Sequence, residues 1–229
     1  MKKVLVGMSG GVDSSVTAAL LDQRGYEVIG GTMKIFPEYE EQSQEEGGCC
    51  SLADIEDAKR VAQKLDIPHY TFNLKEIFQK KVINNFVNEY ENARTPNPCV
   101  VCNNKVKFKA FLKKAKAIGA NYLATGHYSR IIQREDGRTQ LKKGNDKTKD
   151  QSYMLYGLKQ FQLDNTLMPL GDFTKEEVRN MALEFDLRIH DKKESQEICF
   201  VPDDDYVRFL DENHLDISQP GPIYDTEGN

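Results

Sequence analysis

The chain has 229 residues, 39% of them apolar and 29% charged, with five cysteines and a net charge of −5. That length accommodates one large domain or one domain with an appendage, and the apolar share suffices for a core. No apolar run is long enough to span a bilayer, and residues 1–8 are too short an apolar stretch for a secretory leader and read as a first strand, so a cytoplasmic protein is expected.

Residues 4–8 read as a buried strand. Residues 14–24 read as a helix with Val16, Ala19 and Leu20 on one face and Gly25 as its stop, and residues 27–34 as a second strand. Residues 36–48 are acidic and aperiodic, which predicts a loop. Residues 51–65 predict a helix, with Ser51 and Asp54 at capping spacing and Ala58, Val61, Ala62 and Leu65 as the buried stripe. A strand over 68–73 and a long helix over 74–92 follow, the helix burying Ile77, Phe78, Val82, Ile83, Phe86 and Tyr90. Thr95 to Asn103 form a proline-braced turn ahead of a helix over 106–118. A strand over 122–125 then runs into Gly126 and His127. Strands that alternate with helices predict an α/β fold: an open, mainly parallel sheet with helices on both faces.

Residues 131–143 break this rhythm with two alternating arms around Asp136-Gly137, a small hairpin insertion. A short helix is expected over 150–158, a capped one over 174–185 from Thr174 and Glu177, a strand over 198–201 and a last helix over 203–210. Residues 218–229 read as a strand running into a turn with no partner strand. The expected organisation is a catalytic domain over 1–200 and the start of a linker or second domain over 201–229.

Charge is uneven along the chain. Glu38, Glu40, Glu41, Glu45 and Glu46 form one acidic stretch, whereas residues 99–149 are rich in lysine and arginine. The basic stretch suits phosphate contact through counterion release, and equally a solvated helix face plus a charged hairpin.

Ser9-Gly10-Gly11-Val12-Asp13-Ser14-Ser15 sits between the first strand and the first helix. Glycines let the backbone turn and approach a ligand, and a helix N-terminus offers unpaired N–H groups to an anion. No Gly-Lys-Ser/Thr follows, so this is not a Walker loop, and the G-x-G-x-x-G dinucleotide pattern is absent. The heptapeptide resembles the PP-loop of the ATP-pyrophosphatase superfamily, whose members cleave ATP to AMP and pyrophosphate. That resemblance implies an adenine-nucleotide alpha-hydrolase-like fold and a requirement for ATP and Mg²⁺. It also implies a nucleotide cradle of Gly7, Met8, Ser9, Gly10, Gly11, Val12, Asp13 and Ser14, with Met33 against adenine and Gly126 beside the nucleotide.

Cys99-x-x-Cys102 alone fits half a zinc site, a redox pair or an iron–sulfur half-site, and a lone Cys199 is most often a small core residue. The helix start and Lys105 favour the Cys102 thiolate. With Thr125-Gly126-His127-Tyr128, Lys149 to Tyr153 and Ser195 to Cys199, these segments resemble the tRNA-specific 2-thiouridylase family (bacterial MnmA type) along nearly the whole chain. The resemblance implies ATP-dependent adenylation of the C2 oxygen of a wobble uridine, then sulfur insertion to give 2-thiouridine. In that reading Cys102 is the nucleophile and Cys199 bears a persulfide. Asn97, Pro98 and Cys99 contact the target base, and His127, Lys149, Asp150 and Gln151 contact tRNA. The implied partners are tRNA and a protein that donates persulfide or sulfide. Many members carry Asp where Cys99 stands. With cysteine there, Cys99, Cys102 and Cys199 could instead hold a [4Fe–4S] cluster. Cys49 and Cys50 are expected to be structural or incidental. Two rivals remain: another PP-loop adenylating enzyme, and a non-catalytic ATP- or RNA-binding short form. His127 also reads as a capping or buried histidine, Asp150 as a helix cap and Lys149 as a solvated side chain.

Overall fold

The computed structural model describes residues 1–36, 52–187, 189, 192, 198–201, 203–213, 222 and 224–228. A five-stranded parallel sheet forms its centre, built from β1 (Lys3–Gly7), β2 (Glu27–Lys34), β3 (His69–Asn73), β4 (Tyr122–Ala124) and the edge strand β7 (Thr166–Leu167) in the order β3-β2-β1-β4-β7. The Val4-Leu5-Val6 run is buried on both sides because β1 is central. Val4 and Val6 enter one apolar cluster, and Leu5 enters the other.

Helices α1 (Val12–Gln23), α2 (Leu52–Lys64) and α6 (Lys175–Glu184) supply the first cluster through Val16, Ala58 and Val178 among others. Two long helices cover the opposite face. Helix α3 runs over residues 75–91 with a π-helical segment at Gln79–Ile83, and α4 runs over 98–117 with one at Asn103–Phe111. The hairpin strands β5 (Ser129–Gln133) and β6 (Thr139–Lys143) pair antiparallel as expected, and the short helix α5 (Gln160–Asp164) lies against β6. The capping box of α6 is formed, with the Glu177 backbone N–H donating to Thr174 Oγ1 and the Thr174 backbone N–H donating to Glu177 Oε2.

Several elements differ from the sequence expectation. Helix α4 begins at Pro98, well before residue 106. Asn97 caps it by accepting a hydrogen bond from the Val100 N–H at 3.1 Å, and Pro98 occupies the first helical position. Cys99 and Cys102 are therefore helical. The helix expected over 150–158 reduces to a 3₁₀ turn at Ser152–Met154, because Asp150 spends its carboxylate on the Gly144 and Ser152 N–H groups and on Ser152 Oγ. The strand expected over 198–201 is a turn closed by the Val201 N–H on the Ile198 carbonyl. Strand β7 and helix α5 carry no expectation from the sequence, being too short to show a period.

Helix α7 (Tyr206–Glu212), capped by Asp205, buries Leu210 and packs Phe209 on Phe86 and Phe200. Residues 37–48 of the acidic loop, Cys49, Cys50, Ser51, residues 195–197 and half of 218–229 lie outside the described residues. Among the described residues no helix is long and apolar enough to cross a membrane.

Candidate active site

The order of the sheet reverses at β1: β2 and β3 lie to one side of it, β4 and β7 to the other. Ligands of open α/β sheets bind beyond the strand C-termini at such a reversal. A solvent-continuous cleft with about 790 Å³ of empty space lies there, lined by Gly7, Met8, Ser9, Asp13, Ser14, Met33 and Gly126 of the expected nucleotide contacts. Gly31, Lys107, Phe111 and Thr125 line it too, as do His127 and Gln151. Gly31 and Phe111 were not singled out by the sequence, and Lys107 and Thr125 lay within segments of resemblance without a role assigned to them; the winding of α4 brings Lys107 and Phe111 to the cleft.

The phosphate loop is held by its own hydroxyls. Ser14 Oγ accepts from the Ser9 N–H and donates to the Gly11 carbonyl, and Ser15 Oγ donates to that same carbonyl at 2.9 Å. Gly11 begins α1 without a side-chain cap, so no side chain occupies the first N–H groups of α1 and the positive end of its dipole. Gly10, Gly11 and Val12 do not line the cleft. Gly10 has φ of +70°, and a Cβ there would meet the Asp54 carbonyl oxygen at 2.4 Å, so this glycine packs the loop on α2. Val12 is buried in the core. A Cβ on Gly126 would meet Asp13 at 2.9 Å and the Ser14 nitrogen at 3.0 Å, which is the close approach that the end of β4 makes to the loop.

Asp13 is the carboxylate of the cleft, and it is fixed from far along the chain. Lys175 Nζ donates to both its oxygens at 2.8 Å, and Tyr128 Oη donates to one of them at 2.7 Å. Lys175 is placed in turn by its backbone N–H, which donates to Asp146. That bond, with the Thr148 hydroxyl, draws the Asp146 carboxyl down to about 2. On the far side of the loop Lys192 Nζ donates to the Gly10 carbonyl at 3.2 Å while pairing with Asp54 and Asp57. The cradle is thus braced by two lysines from the C-terminal third of the chain.

His127 is buried, pairs with Thr125 Oγ1 at 2.8 Å and tilts against Phe108. Burial first, and the nearby Lys107 charge second, hold its imidazole well below its ordinary value. The native protein therefore keeps His127 neutral at pH values where the unfolded chain takes up a proton. Stability conferred this way is full above about pH 6.5 and falls as pH drops below it, by up to about 1.4 kcal/mol per pH unit for one such histidine. His69, half-buried, is lowered in the same direction by burial and then by Lys59. Urea unfolding at pH 7 and pH 5 should show this loss, and His127→Gln should make the pH dependence shallower. An unchanged slope in that variant overturns the assignment to His127.

Gln151 accepts from the Tyr128 N–H at 3.0 Å and faces the cleft, whereas Asp150 is engaged in its own turn and Lys149 is partly exposed beside it. Cys99 is exposed, Cys102 is buried and Cys199 is half-buried. Cys102 belongs to the core cluster on the α3–α4 face of the sheet, and Cys199 packs against that same cluster. The fold therefore brings these two distant cysteines to one side of the molecule. Cys102 sits on the same helix as Lys107 of the cleft. Among the described residues no three His, Cys, Asp or Glu side chains are grouped so as to hold a metal ion.

Residues 2–203 match the family described as tRNA methyl transferase HUP domain. A protein of Halothermothrix orenii named tRNA-specific 2-thiouridylase MnmA is 66% identical over 229 residues, covering 100% of this chain and 64% of that protein. A protein of Clostridium perfringens with the same name is 54% identical over 228 residues, covering 100% of this chain and 63% of its own length. The chain thus spans less than two thirds of the length of these relatives. Among solved structures, a 4-thiouridine synthetase in complex with RNA and ATP has a TM-score of 0.54 at 16% identity, over 92% of this chain and 50% of that one. NMN synthetase from Francisella tularensis has a TM-score of 0.50 at 16% identity, over 98% and 89%. At such identities the likeness is one of fold.

Proposed function

The chain belongs to the tRNA methyl transferase HUP-domain family, and on that premise we propose that it carries the catalytic site of an ATP-dependent tRNA-uridine 2-sulfurtransferase. The observation that carries this reading is the shared helix α4, which presents Lys107 to the phosphate-loop cleft and Cys102 to the core cluster where Cys199 packs. One helix thus links the cleft with the cluster that holds Cys102. The names of the curated relatives support thiolation.

In this reading the C2 carbonyl oxygen of a tRNA uridine attacks the α-phosphorus of ATP. The α–β phosphoanhydride bond breaks, and pyrophosphate leaves. The N–H groups at the start of α1, the hydroxyls of Ser9 and Ser14, and Lys107 meet the charge that builds on the phosphate oxygens. Gly31, Met33 and Phe111 offer the adenine an apolar wall. Mg²⁺ would neutralise phosphate charge, and Asp13 is the carboxylate that lines the cleft, its oxygens here taken by Lys175 and Tyr128. A persulfide delivered to Cys199 by a donor protein then attacks C2, and AMP departs with the original oxygen. The Cys102 thiolate attacks the Cys199 sulfur and breaks its bond to the transferred sulfur. That sulfur keeps the bonding pair and becomes the thiocarbonyl. Release of the sulfur as hydrosulfide by Cys102 before attack gives the same balance. Either way a Cys102–Cys199 disulfide is left, which an external dithiol reduces. A flipped base, as base-modifying enzymes use, would reach this cleft from solvent.

The test is pyrophosphate release from ATP with and without unmodified tRNA, followed by nucleoside analysis after adding a persulfide donor and a dithiol. The expected result is release that depends on tRNA and a 2-thiouridine product. Release triggered by a small carboxylate or amide in place of tRNA overturns the reading in favour of a different adenylating enzyme. Lys107→Met is expected to lower the rate of pyrophosphate release by a factor on the order of 10² to 10³, as loss of one charge-stabilising donor does. A tenfold or smaller loss removes Lys107 from the phosphate site.

A further inference from the structure

Large apolar side chains are exposed along the segment that follows Gln151 of the cleft. Tyr153, Tyr156 and Phe161 are 57%, 76% and 63% exposed, and all three lie within ten residues of Gln151, which lines the cleft. Successive i→i+3 hydrogen bonds wind residues 151–158: the Met154 N–H donates to Gln151, Leu155 to Ser152 and Leu158 to Leu155. The 3₁₀ helix itself covers Ser152–Met154, and a turn follows it. Tyr153 and Tyr156 are exposed on either side of Leu155, which is fully buried, and Leu158 packs on the core. The turn cannot swing freely. A Cβ on Gly157 would lie 2.5 Å from the Asn104 side chain, and Asn103 Nδ2 donates to the Met154 carbonyl. The two tyrosines are thus pinned onto the part of α4 that follows Cys102. Phe161 extends the same region on α5, which Gln160 and Asp164 tie to Thr139 of β6.

The surroundings are cationic. Lys142 and Lys143 of β6, Lys147 and Lys159 are exposed, and Asp164 is the exposed carboxylate between α5 and β6. Rigid aromatic faces set among lysines, contiguous with a nucleotide cleft, match what unpaired nucleic-acid bases require: a π surface for each base and a positive rim for the phosphates. A protein surface would find no charge-free apolar patch here. The geometry points to residues 152–161 as a stacking platform for unpaired bases of the RNA loop that carries the target uridine. This inference rests on the function proposed above and extends it to a surface outside the cleft.

The test measures binding of this chain to two RNAs of equal length, a stem-loop with an unpaired pyrimidine loop and a blunt duplex, by fluorescence anisotropy. Tyr153→Ala and Tyr156→Ala should each weaken stem-loop binding by about tenfold, leave duplex binding and ATP affinity unchanged, and leave the salt dependence unaltered. Tyr153→Phe and Tyr156→Phe, which keep the ring, should bind within about twofold of the unchanged chain. Wild-type stem-loop affinity in the alanine variants overturns the platform, as does an equal loss for both RNAs. So does an effect confined to self-association, which would mark the face as a protein contact. If the unchanged chain binds the stem-loop and the variants do too, the platform alone fails. If the unchanged chain binds ATP but neither RNA, both the platform and the tRNA reading fail.

Discussion

Cys102→Ser and Cys199→Ser should each reduce 2-thiouridine formation by roughly three orders of magnitude or more, because serine can neither carry a persulfide nor close a disulfide. Pyrophosphate release with tRNA should remain measurable in both variants, since neither sulfur lines the nucleotide cleft. The double variant should be no worse than either single one, as expected for groups that act as a unit. Cys99→Ser separates the two chemistries considered for these thiols. Cys99 is exposed, whereas Cys102 and Cys199 share a core cluster, so a relay between those two should survive its loss with less than about tenfold change. Loss of product in Cys99→Ser as severe as in the other two, with iron in the purified protein, would overturn the relay. The measurement is nucleoside analysis of the tRNA beside a pyrophosphate assay on the same samples.

Gly10→Ala is expected to unfold the phosphate loop from α2 and to abolish ATP binding. The left-handed φ of +70° alone costs a non-glycine residue about 1–2 kcal/mol. The new Cβ would also lie 2.4 to 2.9 Å from the Asp54 backbone, which cannot rotate away as a flexible side chain could. Overpacking of that kind adds about 1–3 kcal/mol. Shifting Asp54 would further disturb its pair with Lys192, whose ammonium also holds the Gly10 carbonyl. Gly137→Ala in the hairpin is the control. Its φ is +80°, but a Cβ there meets nothing within 4 Å, so only the backbone cost remains. Thermal unfolding together with ATP titration decides the matter. If the two variants lose equal stability and both bind ATP, the contact with Asp54 does not set the loop.

The doubly covered parallel sheet was legible because its strands are short apolar runs between helices of clear period, and the adenine-nucleotide alpha-hydrolase-like expectation agrees with the folds of the solved structures it resembles. The phosphate loop was legible too, since its glycines and hydroxyls act on their own neighbours in sequence. Helix α4 was read too short. Its start depends on the single Asn97 cap and on π-helical winding, and neither leaves an apolar period. Asp150 was read as the opening of a helix and instead closes a turn, because its carboxylate found Gly144 as well as Ser152. Gly10 and Val12 were placed at the nucleotide. The fold uses one to pack α2 and the other to fill the core.

The residue types and their spacing determined, without any structure, that this chain folds as an alternating α/β sheet with a glycine-rich turn after its first strand, because propensity, apolar period and glycine freedom act over a few residues. Tertiary structure alone decided that Lys175 and Tyr128 grip Asp13, that Lys107 enters the cleft, and that Cys199 packs on the cluster holding Cys102. Those contacts join residues roughly 100 or more positions apart, or depend on helical winding, and local physical chemistry carries no signal for either.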